Sequence, residues 1–480
     1  MTEAQDFKDA PLVTRGAYLL FRSRLETQYG VFGKILACRL RDREFSFNDQ
    51  RLYMNTNAPF SAVVCGVQGS VSKLFIHPPS LILRPFWLGS GKSHSVSVML
   101  ENMLIPDCKP IGSLQKPLCG LVLHFGEGGS GSSPCEAAWI AASQSEGIQA
   151  PRVRVLVSRS SLNTMRGVYS SVASRGTVTV EPLLFDEGDL DAQTFLSMMA
   201  VGSSDAAPLY MQIILSILRD MGEDFSYRGF KARLEVHKRN FNPNQLSGLE
   251  QRLSLLQSFL RDGNPSHNKA RFVQGDLTIV DLSDPFIDPG SACGIFEVIT
   301  RLFVRAEVDT GKFLLLDEAH KYLSIKGSLT KSLLQLMRLQ RHLAMRVIIS
   351  TQGETLIRVS GTLADFFWCP TEPTVIPAVI LDLCSVAVLH RFSSPSWWDH
   401  LVKHVSADFS DGGSAFDEVV KLQTGQAIVL VPSGLGTFGS PELKAPQTLE
   451  RFGRRYLIIK TRRRVTVDGG ASVLVLDEKR

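Results

Sequence analysis

Short apolar runs that stop abruptly at a glycine or a carboxylate, with amphipathic helical stretches between them, dominate this chain. Ser61-Ala62-Val63-Val64-Cys65 stops at Gly66, and Phe313-Leu314-Leu315-Leu316 stops at Asp317-Glu318. Further runs lie at Gly120 to Phe125, Val153 to Val157, Leu277 to Val280 and Val347 to Ile349. Runs of this length without polar alternation are buried on both faces, as strands of a parallel sheet covered by helices are. Pro208 to Met221 and Leu329 to Leu343 carry helical periodicity, and after Lys92 the apolar residues Val96, Met99, Leu100, Met103 and Leu104 form a helical stripe. The alternation predicts an α/β fold around a mostly parallel central sheet.

At 480 residues the chain exceeds what one hydrophobic core usually supports. We expect an N-terminal segment over 1–57, a main domain over 58–435 and a basic tail over 436–480. No apolar stretch approaches the roughly eighteen residues that a membrane span needs, so a soluble protein without a membrane partner is expected. The first residues, Met1-Thr2-Glu3-Ala4-Gln5-Asp6, lack the basic-then-apolar order of a secretory signal. That points to an intracellular location, nucleus or cytoplasm, where the eight cysteines stay reduced. The cysteines show no CxxC pairing, so buried free thiols without a metal role are expected. The densest basic run, Arg451 to Tyr456 with Lys460 to Arg464, has the charge to neutralise phosphates, but a solvated strand edge is the simpler reading and is the one expected. Gly126 to Pro134 and Asp262 to Asn268 read as loops.

A loop that holds a triphosphate needs glycines so that its amides converge, a lysine for the β- and γ-oxygens and a hydroxyl for magnesium. Gly91-Lys92-Ser93 supplies the last part, yet position 86, where the pattern wants glycine, is Phe86. The missing front half, Gly66-Val67-Gln68-Gly69-Ser70, follows the strand ending at Cys65, and joining the two halves gives GVQGSGKS without a mismatch. Val71 to Ser90 lies between, carries three prolines and matches neither helical nor strand periodicity. Gly66, Gly69, Ser70, Gly91, Lys92 and Ser93 are therefore the expected ATP contacts, with Ser93 also on Mg2+.

Asp317-Glu318 ends an apolar run where a parallel strand meets a ligand crevice. Asp317 is expected to hold magnesium through water, and Glu318 to orient and deprotonate the attacking water. Asp281 ends a competing run but no carboxylate directly follows it, so it ranks second. Arg346 to Gln352 is another buried strand, and Gln352 at its end is positioned to sense a γ-phosphate or the lytic water.

The order of these motifs resembles the HerA/FtsK superfamily of P-loop ATPases, in its eukaryotic HerA-like branch. GVQGS with GKSHSVSVMLENML, LTIVDLSDPF, FLLLDEAHKYL and VIISTQ carry the likeness, which spans Ala58 to Val431. It implies a RecA-like fold of the additional-strand, catalytic-glutamate type, and an ATP hydrolase that works as a hexameric ring translocating nucleic acid, DNA above all. In that family an arginine from one subunit completes its neighbour's site, and Arg338 or Arg341, on the helix before the sensor strand, fits that role. The sequence departs from the family at the sensor, where proline should closely follow glutamine. Here Gly353 to Thr371 intervenes, and removing it yields STQEPTVIP.

Two alternatives stand beside the motor. One is a nucleotide-binding or inactive scaffold whose interruptions at 71–90 and 353–371 are real. The other is a DEAH-type helicase, suggested by Asp317-Glu318-Ala319-His320 but lacking an SAT-like motif and a downstream QxxGRxGR. Both interruptions fall on a motif and both repair it when deleted, which fits retained introns or an unusual isoform. On this hypothesis, transcript sequencing yields a major message without the two segments; a single abundant message encoding Val71 to Ser90 defeats it.

Overall fold

The computed structural model describes residues 3–21, 28–66, 91–106, 108–129, 131–144, 147–199, 209–239, 241–261, 270–324, 327–352, 376–405, 407–409, 412–438 and 448–469. The segments 71–90 and 353–371, together with Gly69, Ser70 and the 262–268 loop, lie outside the described residues.

The strands are β1 (Leu12–Thr14), β2 (Tyr29–Leu40), β3 (Arg43–Phe45), β4 (Arg51–Asn55), β5 (Ser61–Cys65), β6 (Gly112–Ser113), β7 (Cys119–His124), β8 (Val153–Val157) and β9 (Val178–Pro182). They continue with β10 (Leu277–Asp281), β11 (Lys312–Leu316), β12 (Met345–Thr351), β13 (Val386–Leu389), β14 (Gln426–Leu430), β15 (Leu435–Phe438), β16 (Thr448–Arg451) and β17 (Tyr456–Thr461). One half of the sheet is wholly parallel, in the order β9-β8-β10-β7-β11-β12-β5-β13. The other half extends it with antiparallel β14, β17 and β2.

The parallel half confirms an α/β architecture with a mostly parallel centre. Every residue of β5, β10, β11 and β12 is buried. Side chains alternate between the faces, so each strand feeds two cores. Val63, Leu314, Leu316, Val347 and Ile349 pack with Ile295, Phe296, Leu329 and Leu333 of the helices Pro289–Arg305 and Ser328–Leu339. Ala62, Val64, Phe313, Leu315 and Ile348 pack on the opposite face with Val96, Met99, Leu100 and Met103 of the Lys92–Leu104 helix. That helix starts at the lysine from which its apolar stripe was counted.

Chain order hid the antiparallel half. Residues set apart as flanks by composition supply β1 to β4, β16 and β17 to the same sheet. β17, inside the basic run, is paired on both sides, with β14 and β2, so it is not a strand edge. Four of the run's six arginines form ion pairs within the chain: Arg451 with Asp6, Arg455 with Glu450, Arg462 with Glu101 and Arg464 with Glu136. Among the described residues, no helix is long and apolar enough to cross a membrane. The seven described cysteines are free thiols, and all but half-buried Cys384 are buried.

Glu101 ties the end of the chain to the Lys92–Leu104 helix. Fully buried, it accepts hydrogen bonds from Arg462 Nη1 at 2.6 Å, from the Val465 and Thr466 amides at 2.9 Å each, and from Thr466 Oγ1 at 2.7 Å. Removing one partner of a buried ion pair strands the other charge and its donors. Glu101→Ala is therefore expected to cost about 3–5 kcal/mol in denaturant unfolding. A loss below about 1 kcal/mol, the range of an exposed pair, contradicts this account.

Candidate functional site

The parallel half places the carboxyl ends of its strands along one edge. Leu316 of β11 is in register with Ile349 of β12, and Thr351 of β12 with Cys65 of β5. The residues just past these ends, Asp317 and Glu318, Gln352 and Gly66, therefore face one crevice, where open α/β sheets bind ligands. β12 lies between β5 and β11, so the strand bearing Gln352 separates the strand of the first glycine from that of the acidic pair.

The Lys92–Leu104 helix begins at this edge. Gly91 caps it with a left-handed backbone, φ 95°, which favours glycine. A β-carbon there would also lie 2.8 Å from the Gly425 amide nitrogen, so the turn before β14 closes against the helix start. Ser95 makes a helical bond back to the Gly91 carbonyl, at 3.0 Å. The amides of the first turn precede any intrahelical partner, which makes such a start an anion-binding feature.

Lys92 is only 2% exposed. Its Nζ donates to Glu318 Oε1 at 3.0 Å and to Ser350 Oγ at 3.3 Å. Gln352 Nε2 donates to the other Glu318 oxygen at 2.5 Å. Glu318 has a left-handed backbone, φ 53°, unusual for a residue with a β-carbon. That turn lets adjacent acids serve different neighbours: Glu318 meets Lys92, while Asp317 turns to β7. Burial pushes the Glu318 carboxyl up, but the Lys92 charge overrides it, against Asp317 and aided by Gln352, and holds it below the usual carboxylate range. Half-buried His320 lies 3.6 Å from Glu318 Oε2, and burial pushes its imidazole down.

Asp317 faces a neighbourhood the sequence did not announce. His124 Nδ1, at the end of β7, donates to Asp317 Oδ2 at 2.9 Å, and Cys135 Sγ approaches the same oxygen at 3.8 Å. Burial would raise the Asp317 carboxyl, but the hydrogen bond and charge of His124 reverse this and hold it well below the carboxylate range. Burial disfavours the His124 cation, yet Cys135, Asp281 and Asp317 outweigh that and raise its pKa well above the ordinary imidazole value. Burial pushes the Cys135 thiol up to about 11.

Of the residues expected at the site, Gly66, Gly91, Lys92, Ser93, Asp317, Glu318 and Gln352 converge on this edge. Gly69 and Ser70 fall outside the described residues. Arg338 and Arg341 are exposed near the carboxyl end of the Ser328–Leu339 helix, before β12 begins, and so lie toward the opposite edge of the sheet from Glu318. The chain's own site does not include them. Asp281 accepts from Tyr169 Oη at 2.6 Å and supports the site rather than entering it. Ser350, His124 and Cys135 were missed. Ser350 precedes the sensor by two residues, and His124 is the polar end of an apolar run, so both carried a signal in strand-end position; Cys135 lies in a loop and carried none.

The donor set is mixed. The Ser93 hydroxyl and the Asp317 carboxylate are hard oxygen donors of the kind Mg2+ takes, whereas His124 and Cys135 are not.

No protein-family model and no curated protein matches this chain. Among solved structures it is similar to VirB4 of Thermoanaerobacter pseudethanolicus, with a TM-score of 0.43 and 11% identity over 90% of this chain and 96% of that one. It is also similar to the DNA-packaging ATPase B204 from Sulfolobus Turreted Icosahedral Virus, with a TM-score of 0.23 and 10% identity over 58% of this chain and 93% of that one. The genome packaging NTPase B204 from Sulfolobus turreted icosahedral virus 2, in complex with sulfate, gives a TM-score of 0.21 and 16% identity over 36% and 69% of the two chains.

Gly91→Ala forces a β-carbon into a left-handed position and against the Gly425 backbone. The expected loss is about 1–3 kcal/mol of stability in denaturant unfolding. An unchanged unfolding midpoint refutes the assigned cap.

Proposed function

We propose that this chain is an ATP hydrolase that moves nucleic acid, working as a ring of identical subunits. One observation supports the hydrolase most: Lys92, Glu318, Ser350 and Gln352 meet in a connected cluster at the ends of β11 and β12 and the start of one helix. A buried lysine beside first-turn amides suits a triphosphate, and a carboxylate next to it suits the activation of water.

In this proposal, Lys92 and the helix-start amides bind the β- and γ-phosphates, with Gly66, Gly69, Ser70 and Gly91 shaping the loop. Glu318 orients water and accepts its proton as the water oxygen bonds to the γ-phosphorus and the bond to ADP breaks. Gln352 holds that water or the γ-phosphate, linking the sensor strand to Glu318. Ser93 and Asp317 hold Mg2+, which neutralises charge on the phosphate oxygens when bound. The ring and the nucleic-acid substrate rest on the motif order that resembles the HerA/FtsK group. Arg338 or Arg341, exposed and outside their own site, then serve a neighbouring subunit's γ-phosphate.

Lys92→Ala is expected to lose ATP binding by at least about a hundredfold, two steps of 1.4 kcal/mol, while Glu318→Gln keeps binding and loses turnover. Isothermal titration and a phosphate-release assay with and without DNA check both. A Lys92→Ala chain that hydrolyses ATP as fast as the parent removes the hydrolase. Turnover indifferent to nucleic acid removes the motor. The same titration on a chain lacking Val71 to Ser90 and Gly353 to Thr371 should show tighter binding than the full chain. Binding without turnover in both selects the scaffold.

A further inference from the structure

We propose that His124, Cys135 and Asp317 form a site for a borderline-soft divalent cation of the Zn2+ type, placed so that occupancy takes Asp317 out of the nucleotide site. The binding claim stands on these three side chains alone. The consequence for turnover rests on the magnesium role proposed for Asp317.

The three donor atoms, one nitrogen, one sulfur and one oxygen, lie within 4.8 Å of one another. Tetrahedral zinc, with bonds of about 2.0 Å to nitrogen and oxygen and about 2.3 Å to sulfur, places such atoms about 3.3–3.6 Å apart. The observed 2.9 Å from His124 to Asp317 and 3.8 Å from Cys135 to Asp317 straddle those spacings. Three protein ligands leave a fourth position for water or a phosphate oxygen, as in open zinc sites. The set does not suit Mg2+, which takes oxygen donors.

The ligands are held in place by backbone and by a second layer. His124 and Asp317 end neighbouring strands whose register is set by Leu123 opposite Leu316. The Asp317 amide donates to the Leu123 carbonyl at 2.9 Å. Cys135 comes from a loop, but its amide donates to Tyr169 Oη at 3.1 Å, and that hydroxyl donates to Asp281 at 2.6 Å. Tyr169 and Asp281 are fully buried. The carboxylate at the end of β10, which the nucleotide site does not use, thus anchors the loop that presents the thiol. Such outer partners set ligand orientation and typically change metal affinity 10–100-fold when removed. Binding releases two protons to solvent, one from the Cys135 thiol and one from the His124 Nδ1 that otherwise donates to Asp317, and the metal takes their place.

Co2+ is the probe, because tetrahedral cobalt with one thiolate gives intense visible bands and an ultraviolet thiolate-to-metal band. The full chain, stripped with chelator and reduced, is titrated with Co2+ and then with Zn2+ in competition. The expected result is a tetrahedral spectrum at one equivalent, bleached by Zn2+. Cys135→Ser loses the thiolate band, His124→Gln weakens binding at least about tenfold, and Tyr169→Phe, which keeps all three ligands, weakens it by about tenfold or more. Circular dichroism of each variant separates lost ligands from lost fold, and a variant that fails to fold leaves the decision to the other two. An octahedral spectrum, or Cys135→Ser binding Co2+ as the parent does, overturns the site. With Mg2+ in excess, micromolar Zn2+ is expected to suppress ATP turnover in the parent by a larger ratio than in Cys135→Ser. Equal suppression overturns the withdrawal of Asp317, and absence of turnover in both the parent and the chain lacking Val71 to Ser90 and Gly353 to Thr371 defeats the hydrolase while the cobalt spectrum still decides the metal site.

Discussion

The in-register parallel pairing of β11, β12 and β5 is the constraint from which the site follows. Side chains on a strand alternate in direction, so a slip of one residue between β11 and β12 would exchange the faces of Leu314 and Leu316 with those of Phe313 and Leu315. Each set packs in a different core. The two cores therefore enforce the register, and the register puts Gln352 beside Glu318. Positioning on rigid strands explains how an amide and a carboxylate from residues 34 apart in sequence meet at 2.5 Å.

At the end of β11 this rigidity meets a local exception. Two acids in succession on an extended strand would point to opposite faces. Because the chain turns left-handed at Glu318, one carboxylate reaches Lys92 on the helix and the other reaches His124 on β7. The cost of that backbone, of order 1–3 kcal/mol, is offset by two charge-assisted contacts in a buried setting. Each acid is thereby held ionised by a different cation, Glu318 by Lys92 and Asp317 by His124. One dipeptide thus divides into a pole facing Lys92 and a pole facing the His124–Cys135 pair.

What was legible in the sequence follows the same division. Val153–Val157 and the start of the helix at Lys92 coincide with the structure because runs buried on both faces, and one-sided helical stripes, are local signals. The antiparallel half was not legible. β17 pairs with β14 and with β2, whose residues lie more than four hundred positions away, and the arginines that flank it on both sides imitate a solvated edge. Arg462 and Arg464 look like surface charge until their partners, buried Glu101 and half-buried Glu136, are known. Cys135 was illegible for a related reason: spacing rules find ligands that share a turn, and this thiol joins His124 and Asp317 only through tertiary pairing.

The same nonlocal half bears on the split phosphate loop expected from the sequence. A continuous loop sets the distance between its glycines and its lysine by chain connection, but here the residues from 67 to 90 separate the two parts in sequence. The helix carrying Lys92 is instead fixed by contacts that do not pass through that segment. Gly91 packs on Gly425, Ser95 Oγ meets Thr461 Oγ1 at 2.7 Å, His94 bonds the Arg462 carbonyl at 2.8 Å, and Glu101 holds the chain from Arg462 to Thr466. Gly66, for its part, follows a strand pinned between β12 and β13. With both ends anchored by the sheet, lengthening the connection adds only about 0.6 kcal/mol of closure entropy per doubling. A connection of this length is therefore compatible with the position of Lys92, and what it bears on is the set of amides that, in the proposed function, surround the phosphate between the two anchors.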